Sequence, residues 1–281
     1  MADVKPADVK KLRDKTGAGM LDCKKALVEA EGDYAKAEKL LKEQGLAAAA
    51  KRGDRATNEG RVFTKISGGK AGIIELACET DFVAINENFV NAGNELLDGI
   101  LADNLTKITP ELEEKVKLAI SKLKENISIK RFKTYNIADN EFCMGYIHGE
   151  GGIGVLVKLS SDDKAVFEND KVKEFAFDCA LHIAAFNPLY LSRDVVDEAY
   201  TKEQTEIFTK QAENLGKPEK VLQGIVKGKL NKHFSQICLL DQPFVKDDKN
   251  SLSNVLAAIG KEAGGKLKIE DFVYYRVGVE A

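Results

Sequence analysis

The sequence predicts an α+β protein in which a small helical unit precedes a core of two related halves. Three observations support this class. Apolar side chains recur at helical spacing through the first fifty residues, interrupted by glycines. A pattern of two strands followed by a helix then occurs twice, and the second copy carries a charged segment with an apolar seam that is typical of two inserted helices.

The helical unit is predicted to contain three helices. Pro6 suits a first helical turn, and the two glycines within 16–19 favour a reversal that ends the first helix. A second helix is expected to begin at Met20 or Leu21, and a third to end near Gln44. Such an arrangement buries one small apolar face.

A boundary is expected near residue 55. Residues 45–61 contain small residues and alternating charges without an apolar period, which predicts a linker. The alternative is that 47–52 continues the third helix, because alanine is the best helix former. In either case we expect an N-terminal domain with its linker over 1–54.

The two copies in the core predict a first half over 55–140 and a second half over 141–281. Each copy has two strands joined by a glycine turn and then a helix. Residues 71–76 align with 153–158 so that their glycines coincide. The predicted strands and helix are 62–67, 72–78 and 87–101 in the first copy, and 144–148, 154–159 and 170–186 in the second.

The remaining elements complete the two halves. A helical hairpin over about 195–234, turned at Gly216-Lys217-Pro218, is expected to protrude, because most of its surface is charged. The other expected elements are a helix over 110–126, an edge strand over 128–135, strands over 237–245 and 267–279, and a helix over 252–263 between those two strands.

Composition and charge disfavour several classes of protein. A net charge of −3 and a pI near 5.8 argue against nucleic acid as the main partner, because phosphate binding needs concentrated Lys and Arg. No stretch approaches the roughly 20 apolar residues of a membrane helix, and the start does not resemble a secretory signal. The five cysteines are scattered, so we expect buried thiols in a reducing, cytoplasmic compartment and no metal site.

A turn between a predicted strand and helix carries the most distinctive side chains. Thr80 and Asp81 break the pattern of the preceding strand, since both prefer to bond nearby backbone groups. Phe82 then places a large ring in a loop. The ring either packs under the next helix as a core residue or enters a partner's crevice. The second copy has only polar residues, 160–164, at this point, which favours the contact role.

The sequence provides no nucleotide site or catalytic group of its own. The glycines in 149–154 join two predicted strands, whereas a dinucleotide fingerprint opens a helix. No nucleophile–base pair is evident, so we expect neither enzymatic chemistry nor a cofactor. His182 lies among apolar residues and is expected in the core, whereas His148 is expected at the surface.

Two stretches carry a resemblance to a known family. Residues 12–27 read LRDKTGAGMLDCKKAL, and residues 78–84 read CETDFVA. In sequence, order and separation they closely resemble the two signatures of the bacterial translation elongation factor Ts family. The resemblance implies a ubiquitin-associated-like N-terminal domain and a guanine-nucleotide exchange factor for the GTPase elongation factor Tu.

The resemblance also implies which residues meet the partner. Phe82 inserts between helices of elongation factor Tu while Asp81 bonds beside it, which dislodges the Mg²⁺ of the GTPase. The family usually has Met-Met where this chain has Met20-Leu21, a change that conserves volume. The implied contacts are Thr80, Asp81, Phe82 and Val83 at the Mg²⁺-dislodging site, with Arg13, Met20, Leu21 and His148 as secondary contacts.

Two questions stay open at the level of sequence. A comparable hairpin acts in self-association within the family, but a plain antiparallel helix pair explains the pattern equally well, so a homodimer is one of two interpretations. A noncatalytic adaptor or chaperone-like protein is the alternative function. It would bind helical or ubiquitin-like partners through the three-helix unit and retain activity in the first fifty residues.

Overall fold

The computed structural model describes residues 4–216 and 218–279, and it begins with the three predicted helices. Gly17 ends the first helix with a left-handed φ of 69°. Asp33 caps the third helix by accepting a hydrogen bond from the Lys36 N–H at 3.0 Å. The inward faces of the three helices form one small apolar core. The helices are α1 (Pro6–Thr16), α2 (Met20–Glu29) and α3 (Tyr34–Ala50).

The third helix is longer than expected. α3 runs through the start of the predicted linker and ends at Ala50, so the interpretation in which the alanine-rich stretch continues the helix is correct. Packing supports the extension, because α3 lies against a later helix, α6 (Pro110–Leu123). Gly45 permits this close approach, since a Cβ there would lie 2.1 Å from the Ser121 hydroxyl oxygen. The prediction that a linker begins at Gly45 is therefore wrong.

The first half of the core is a three-stranded antiparallel sheet in the order β1-β2-β3. Its helices lie between β2 and β3 in the chain and share one apolar core with the sheet. The predicted strand–strand–helix unit and the edge strand are confirmed. The elements are β1 (Glu59–Ser67), β2 (Lys70–Cys78), α4 (Asp81–Ala84), α5 (Glu87–Ala102), α6 and β3 (Ile127–Asn136).

The second half repeats this architecture with insertions before its last helix and strand. Its sheet has the order β4-β5-β8, and a 3₁₀ turn over Lys164–Glu168 stands where the first half has α4. The two sheets meet through an apolar cluster that includes Ile73 and Leu156. The elements are β4 (Glu141–His148), β5 (Ile153–Ser161), α7 (Asp170–Phe186), α8 (Glu198–Glu213), α9 (Glu219–Ile237), β6 (Pro243–Phe244), β7 (Asp247–Ser251), α10 (Leu252–Ala263) and β8 (Leu267–Arg276).

From the second strand to the start of the following helix, the two halves correspond residue by residue. The second strand of each half has an irregular register next to the last strand, at Glu75 in β2 and at Lys158 in β5. The same number of residues separates Asn86 from Asn169, which cap the N-termini of α5 and α7. One constant spacing therefore relates the strand, the turn and the following helix of the two halves.

The predicted alignment of the halves is wrong by one residue. By the observed spacing, Gly154 corresponds to Ala71 rather than to Gly72. A Cβ on Gly154 would meet Val62 between the two sheets, where Ala71 is also buried. A Cβ on Gly72 would instead meet Leu97 of α5, on the opposite face of the sheet. The glycines therefore have different packing roles and do not mark equivalent positions.

The strand predicted over 237–245 is also wrong. α9 continues to Ile237, and a 3₁₀ turn over Leu239–Asp241 precedes the two-residue β6. Directly after β6, the Val245 N–H donates to Nδ1 of His182 at 3.1 Å. The backbone there bonds a side chain and not a neighbouring strand. Among the described strands β6 pairs only with β7, in a separate small sheet, so it does not extend the sheet of the second half.

α8 and α9 form the predicted helical hairpin. Asp197 caps α8 by accepting a hydrogen bond from the Ala199 N–H at 2.6 Å. Within the described parts of the two helices only Ala212 and Phe234 are buried, which fits a protruding pair. The predicted turn includes Lys217, which lies outside the described residues.

No helix in the described part of the chain combines the length and apolarity needed to cross a bilayer. All five cysteines are free thiols and all are buried, as predicted. Burial raises the pKa of the Cys78 and Cys143 thiols to about 12. These thiols therefore stay protonated near neutral pH and act as apolar packing groups.

Candidate functional site

The turn predicted to carry the site is a short helix that presents Phe82 to solvent. Thr80 precedes α4 in extended conformation and caps it by accepting a hydrogen bond from the Val83 N–H at 3.4 Å. Ala84 is buried in the core of the first half and holds one side of the helix down. Phe82 lies on the other side, 78% exposed, more than any other large apolar side chain among the described residues. The interpretation of Phe82 as a core residue is therefore wrong.

The loop between α6 and β3 holds this turn in place. Glu125 accepts two hydrogen bonds from Thr80, one from the backbone N–H at 3.0 Å and one from the hydroxyl at 2.6 Å. Beside it, Glu79 accepts a hydrogen bond from the Asn126 N–H at 2.6 Å. Hydrogen bonds to carboxylates are about twice as strong as those between neutral groups. These bonds therefore tie the short helix to the segment between α6 and β3.

Sequence reasoning did not identify Glu125 as part of the site. Its partner Thr80 lies 45 residues away along the chain, so no local pattern links the two residues. The only sequence signal lies in the internal repeat, because Glu125 lies two residues before β3 and the second half has Gly265 two residues before the corresponding strand β8. The alignment of the two halves must be correct before this difference can be recognised.

Asp81 shares the exposed surface with the ring. One carboxylate oxygen accepts a hydrogen bond from the Phe82 N–H at 2.9 Å, so the charged group lies at the N-terminus of α4 beside the Phe82 backbone. Ile85, directly after α4, is 57% exposed and extends the apolar surface. The site thus combines an aromatic ring, an aliphatic side chain and a negative charge.

The predicted secondary contacts in the helical unit lie around one loop. Met20 and Leu21 begin α2, and both are exposed and lie outside the apolar core of the three helices. Arg13 is exposed in the last turn of α1, across the same loop. Apolar pairs at helix starts often serve local packing, but the exposure of Met20 and Leu21 does not fit that role here.

His148 lies apart from both sites, at the end of β4. It is exposed, and its Nδ1 shares a 3.0 Å hydrogen bond with the Tyr146 hydroxyl. The glycine turn after it joins β4 to β5, so the glycines connect two strands as predicted. The predicted contact residues therefore occupy three separate places on the surface, and the structure does not gather them into one pocket.

The other candidate groups of the sequence have structural roles. His182 is fully buried, contacts the Gln242 side-chain oxygen at 2.9 Å, and has a pKa lowered by burial. Within residues 4–216 and 218–279, no three His, Cys, Asp or Glu side chains are placed to hold a metal ion. The exposed ring, the charge beside it and its rigid support suit recognition of another macromolecule.

The chain is similar to known proteins over nearly its whole length. A family model described as Elongation factor TS matches residues 79–279. The protein named Elongation factor Ts in Treponema denticola is 47% identical over 277 residues, which cover 99% of this chain and 99% of that protein. The protein of the same name in Borreliella burgdorferi strain B31 is 47% identical over 279 residues, 99% of this chain and 100% of its own. The protein of that name in Borrelia recurrentis is 45% identical over 276 residues, 98% of this chain and 99% of its own.

Proposed function

The chain belongs to the elongation factor Ts family of translation elongation factors, and from this premise we propose that it is the guanine-nucleotide exchange factor of elongation factor Tu. The observation that carries the proposal is the exposure of Phe82 on a turn that the first half holds firmly. An exposed aromatic ring on a fixed support suits an anchor that fills a partner's crevice. Exchange requires no covalent step and no catalytic residue.

The exchange mechanism acts on the metal of the GTPase. Phe82 enters between two helices of elongation factor Tu, Asp81 bonds beside it, and Thr80 and Val83 flank the contact. A translational GTPase holds GDP partly through Mg²⁺, which demands near-ideal octahedral coordination at about 2.0–2.1 Å. A small displacement of the helices that support the ion therefore weakens Mg²⁺ and GDP together.

The rigid support of α4 suits this mechanism. A ring on a mobile loop would move out of the way when it met the partner, and it could not displace packed helices. Thr80 is instead fixed by Glu125 at both its backbone and its side chain. The energy of binding can therefore be transmitted through the turn to the helices of the GTPase.

The secondary contacts add affinity at a distance from the nucleotide. Arg13, Met20 and Leu21 contact the GTPase from the helical unit, and His148 contacts a second domain of it. This division of work follows the domains that we propose, with docking by residues 1–54, exchange by 55–140 and additional contact by 141–281. The chain acts in the cytoplasm, without a nucleic acid or a membrane as a direct partner.

The hairpin within 195–234 supports a contact of its own. Ile207, Leu215 and Val221 are exposed apolar side chains on α8, on α9 or between them. Contact between the hairpins of two copies would cover such side chains and give a homodimer. The exchange proposal does not depend on this contact.

Thermodynamic linkage provides the test. A factor that weakens GDP binding must itself be weakened by GDP to the same extent, so GDP should dissociate the complex. We would load elongation factor Tu with fluorescent GDP, add excess unlabelled GDP and a substoichiometric amount of this chain, and follow release by stopped flow. Accelerated release of the whole loaded pool is expected. An unchanged rate would contradict the proposal and favour the adaptor alternative.

A further inference from the structure

We propose that Glu125 is a positioning residue for nucleotide exchange, which holds the Thr80–Val83 turn in the orientation that presents Phe82 to the GTPase. The inference rests on the proposed exchange function. The inference is argued from a comparison of the two halves of this chain, because one half has an exposed ring on its turn and the other does not. Contacts that occur in both halves belong to the fold, and contacts found only in the first half need another reason.

One connection near the turn is common to both halves. In the first half, Glu79 accepts a hydrogen bond from the Asn126 N–H at 2.6 Å. In the second half, the corresponding Asp162 accepts a hydrogen bond from the Lys266 N–H at the same distance. This bond joins the end of the second strand to the start of the last strand. Because the half without an exposed ring also has it, it serves the fold.

The Glu125 contact is not repeated in the described second half, where the N–H of Asp163, which corresponds to Thr80, donates instead to the Ser161 hydroxyl at 3.2 Å. Glu125 directly precedes Asn126, and the corresponding residue before Lys266 is Gly265. A Cβ at Gly265 would lie 2.5 Å from Cγ2 of Val166, so that position has no room for a side chain as it stands. The repeated architecture therefore forms without a carboxylate here.

The turns of the two halves also differ, both in their caps and in the presence of a ring. Thr80 corresponds to Asp163, which caps its 3₁₀ turn by accepting a hydrogen bond from the Ala165 N–H at 2.9 Å. Ala165 is the residue that corresponds to Phe82, and it offers no ring to present. The half that has no ring caps its turn without support from Gly265, whereas the half that has the ring adds Glu125 behind the cap.

The geometry explains what the additional carboxylate does. Glu125 accepts the Thr80 backbone N–H with one oxygen and the Thr80 hydroxyl with the other, so the residue is fixed at two points. The hydroxyl hydrogen points toward Glu125, which leaves the hydroxyl lone pairs to accept the Val83 N–H. Phe82 lies between these two fixed residues. Since its ring is mostly exposed, its own packing does not hold it.

The backbone before Glu125 is unusual as well. Lys124 ends α6 with a left-handed φ of 65°, whereas the corresponding residue of the second half is Gly264 with a φ of 87°. A residue with a Cβ is uncommon in this conformation. Strained backbone of this kind often occurs where a side chain must be aimed. The first half keeps Lys124 in this conformation directly before the residue that bonds Thr80.

The first test does not involve the GTPase. The chain contains no tryptophan, so Phe82→Trp introduces a single indole at the tip of the turn. We expect Glu125→Ala in this background to lower the nanosecond residual anisotropy of the indole at least about twofold, because the turn loses both anchoring bonds. Thr80→Ser keeps the hydroxyl and the N–H and should keep the anisotropy. Unchanged anisotropy in the Glu125→Ala variant would overturn the proposal.

A matched control separates positioning from general loss of stability. Asp162→Ala removes a carboxylate contact in the second half, far along the chain from the indole. It should leave the anisotropy of the indole unchanged even where the melting temperature falls. If Glu125→Ala does not fold, Glu125→Gln keeps the side-chain volume, loses the charge, and replaces one acceptor oxygen with an NH₂ donor. The anisotropy of the indole in the Glu125→Gln variant should then be lower than with Glu125 in place but higher than for a freely moving turn. An unchanged value would again overturn the proposal.

The second test uses the GTPase and a double-mutant cycle. Glu125→Ala should reduce the rate of GDP release at saturating factor about tenfold, equivalent to about 1.4 kcal/mol. In the Phe82→Ala background the same substitution should reduce the rate less than about twofold further, because no ring is left to position. If the double variant reduces the release rate by the product of the two separate reductions, Glu125 acts independently of Phe82. That result would overturn the proposal.

The two tests keep the inference distinct from the proposed function. If the unaltered chain does not accelerate GDP release, the exchange function fails, and the anisotropy still decides whether Glu125 holds the turn. If exchange is fast but the indole is equally immobile with and without Glu125, the positioning inference alone fails. Loss of both anisotropy and exchange in Glu125→Ala, with Asp162→Ala unaffected in both, supports the inference and the function together.

Discussion

The exposure of Phe82 predicts that removal of its ring leaves the fold almost unchanged. Full burial of a phenylalanine side chain stabilises a protein by roughly 1.5–3 kcal/mol. The ring is 78% exposed, so only about a fifth of this amount, about 0.3–0.6 kcal/mol, is available to lose in Phe82→Ala. Alanine also favours the helical conformation of α4 more than phenylalanine does, which offsets part of the loss. We expect the free energy of unfolding to fall by less than about 0.7 kcal/mol.

Urea unfolding followed by circular dichroism measures this change, and Phe89→Ala is the matched control. Phe89 lies in α5, a few residues further along the same half, and its ring is fully buried. Its removal should reduce the free energy of unfolding by about 3–5 kcal/mol, because it leaves a cavity in the core. A loss in Phe82→Ala that approaches the loss in Phe89→Ala would refute the reasoning, since the ring would then support the fold.

Three further predictions follow from individual residues. Asp81→Ala should slow GDP release from elongation factor Tu less than Phe82→Ala does, because its exposed carboxylate adds a polar contact beside the main anchor; stopped-flow release rates decide the order. Lys124→Gly should raise the free energy of unfolding by about 1 kcal/mol, since glycine relieves the left-handed backbone at φ 65°; a lower urea midpoint would contradict this. His182 has its pKa lowered from 6.5 by burial, so the unfolded chain binds a proton there before the folded chain does. Stability should therefore be retained above pH 6.5 and fall below it, by up to about 1.4 kcal/mol per pH unit from this site, and the fall should be shallower in His182→Gln.

Helices with clear boundary signals could be predicted closely from the sequence. α7 begins after Asn169, whose side chain accepts the Lys171 N–H, and ends at Asn187 in a left-handed conformation. α10 begins after Ser251 in the same way and ends at Gly264. Between these signals the apolar residues keep a helical period, so local chemistry and burial favour the same bounds.

The errors occurred where local patterns fit more than one structure. Residues 237–240 are an apolar run that suits a strand. In the structure, however, α9 extends through Ile237, and Leu239 is buried in a 3₁₀ turn. The glycines Gly72 and Gly154 suggested an alignment of the halves that the strand register shifts by one residue. Neither choice could be made from short stretches, because tertiary packing decides both.

Only part of the candidate site could be predicted from the sequence, because some of its contacts join residues that lie far apart along the chain. The sequence identified Thr80, Asp81 and Phe82, because a turn with a large apolar residue is locally unusual. The comparison of the two copies favoured an exposed ring, although the spacing alone also suits a core residue. Glu125 could not be recognised at all, because its role depends on a contact with Thr80 across 45 residues of chain. Contacts of this range are visible only once the fold is known.

The rate of GDP release from elongation factor Tu with unaltered chain and with Phe82→Ala tests the central claim most directly. Leu189→Ala is the matched control, because Leu189 is a 63% exposed apolar residue of the second half that is not among the proposed contacts. We predict fast release with the unaltered chain and with Leu189→Ala, and release at least about 30-fold slower with Phe82→Ala, as expected for an anchor worth about 2 kcal/mol. Equal rates for the unaltered chain and Phe82→Ala would contradict the assignment of exchange to this ring.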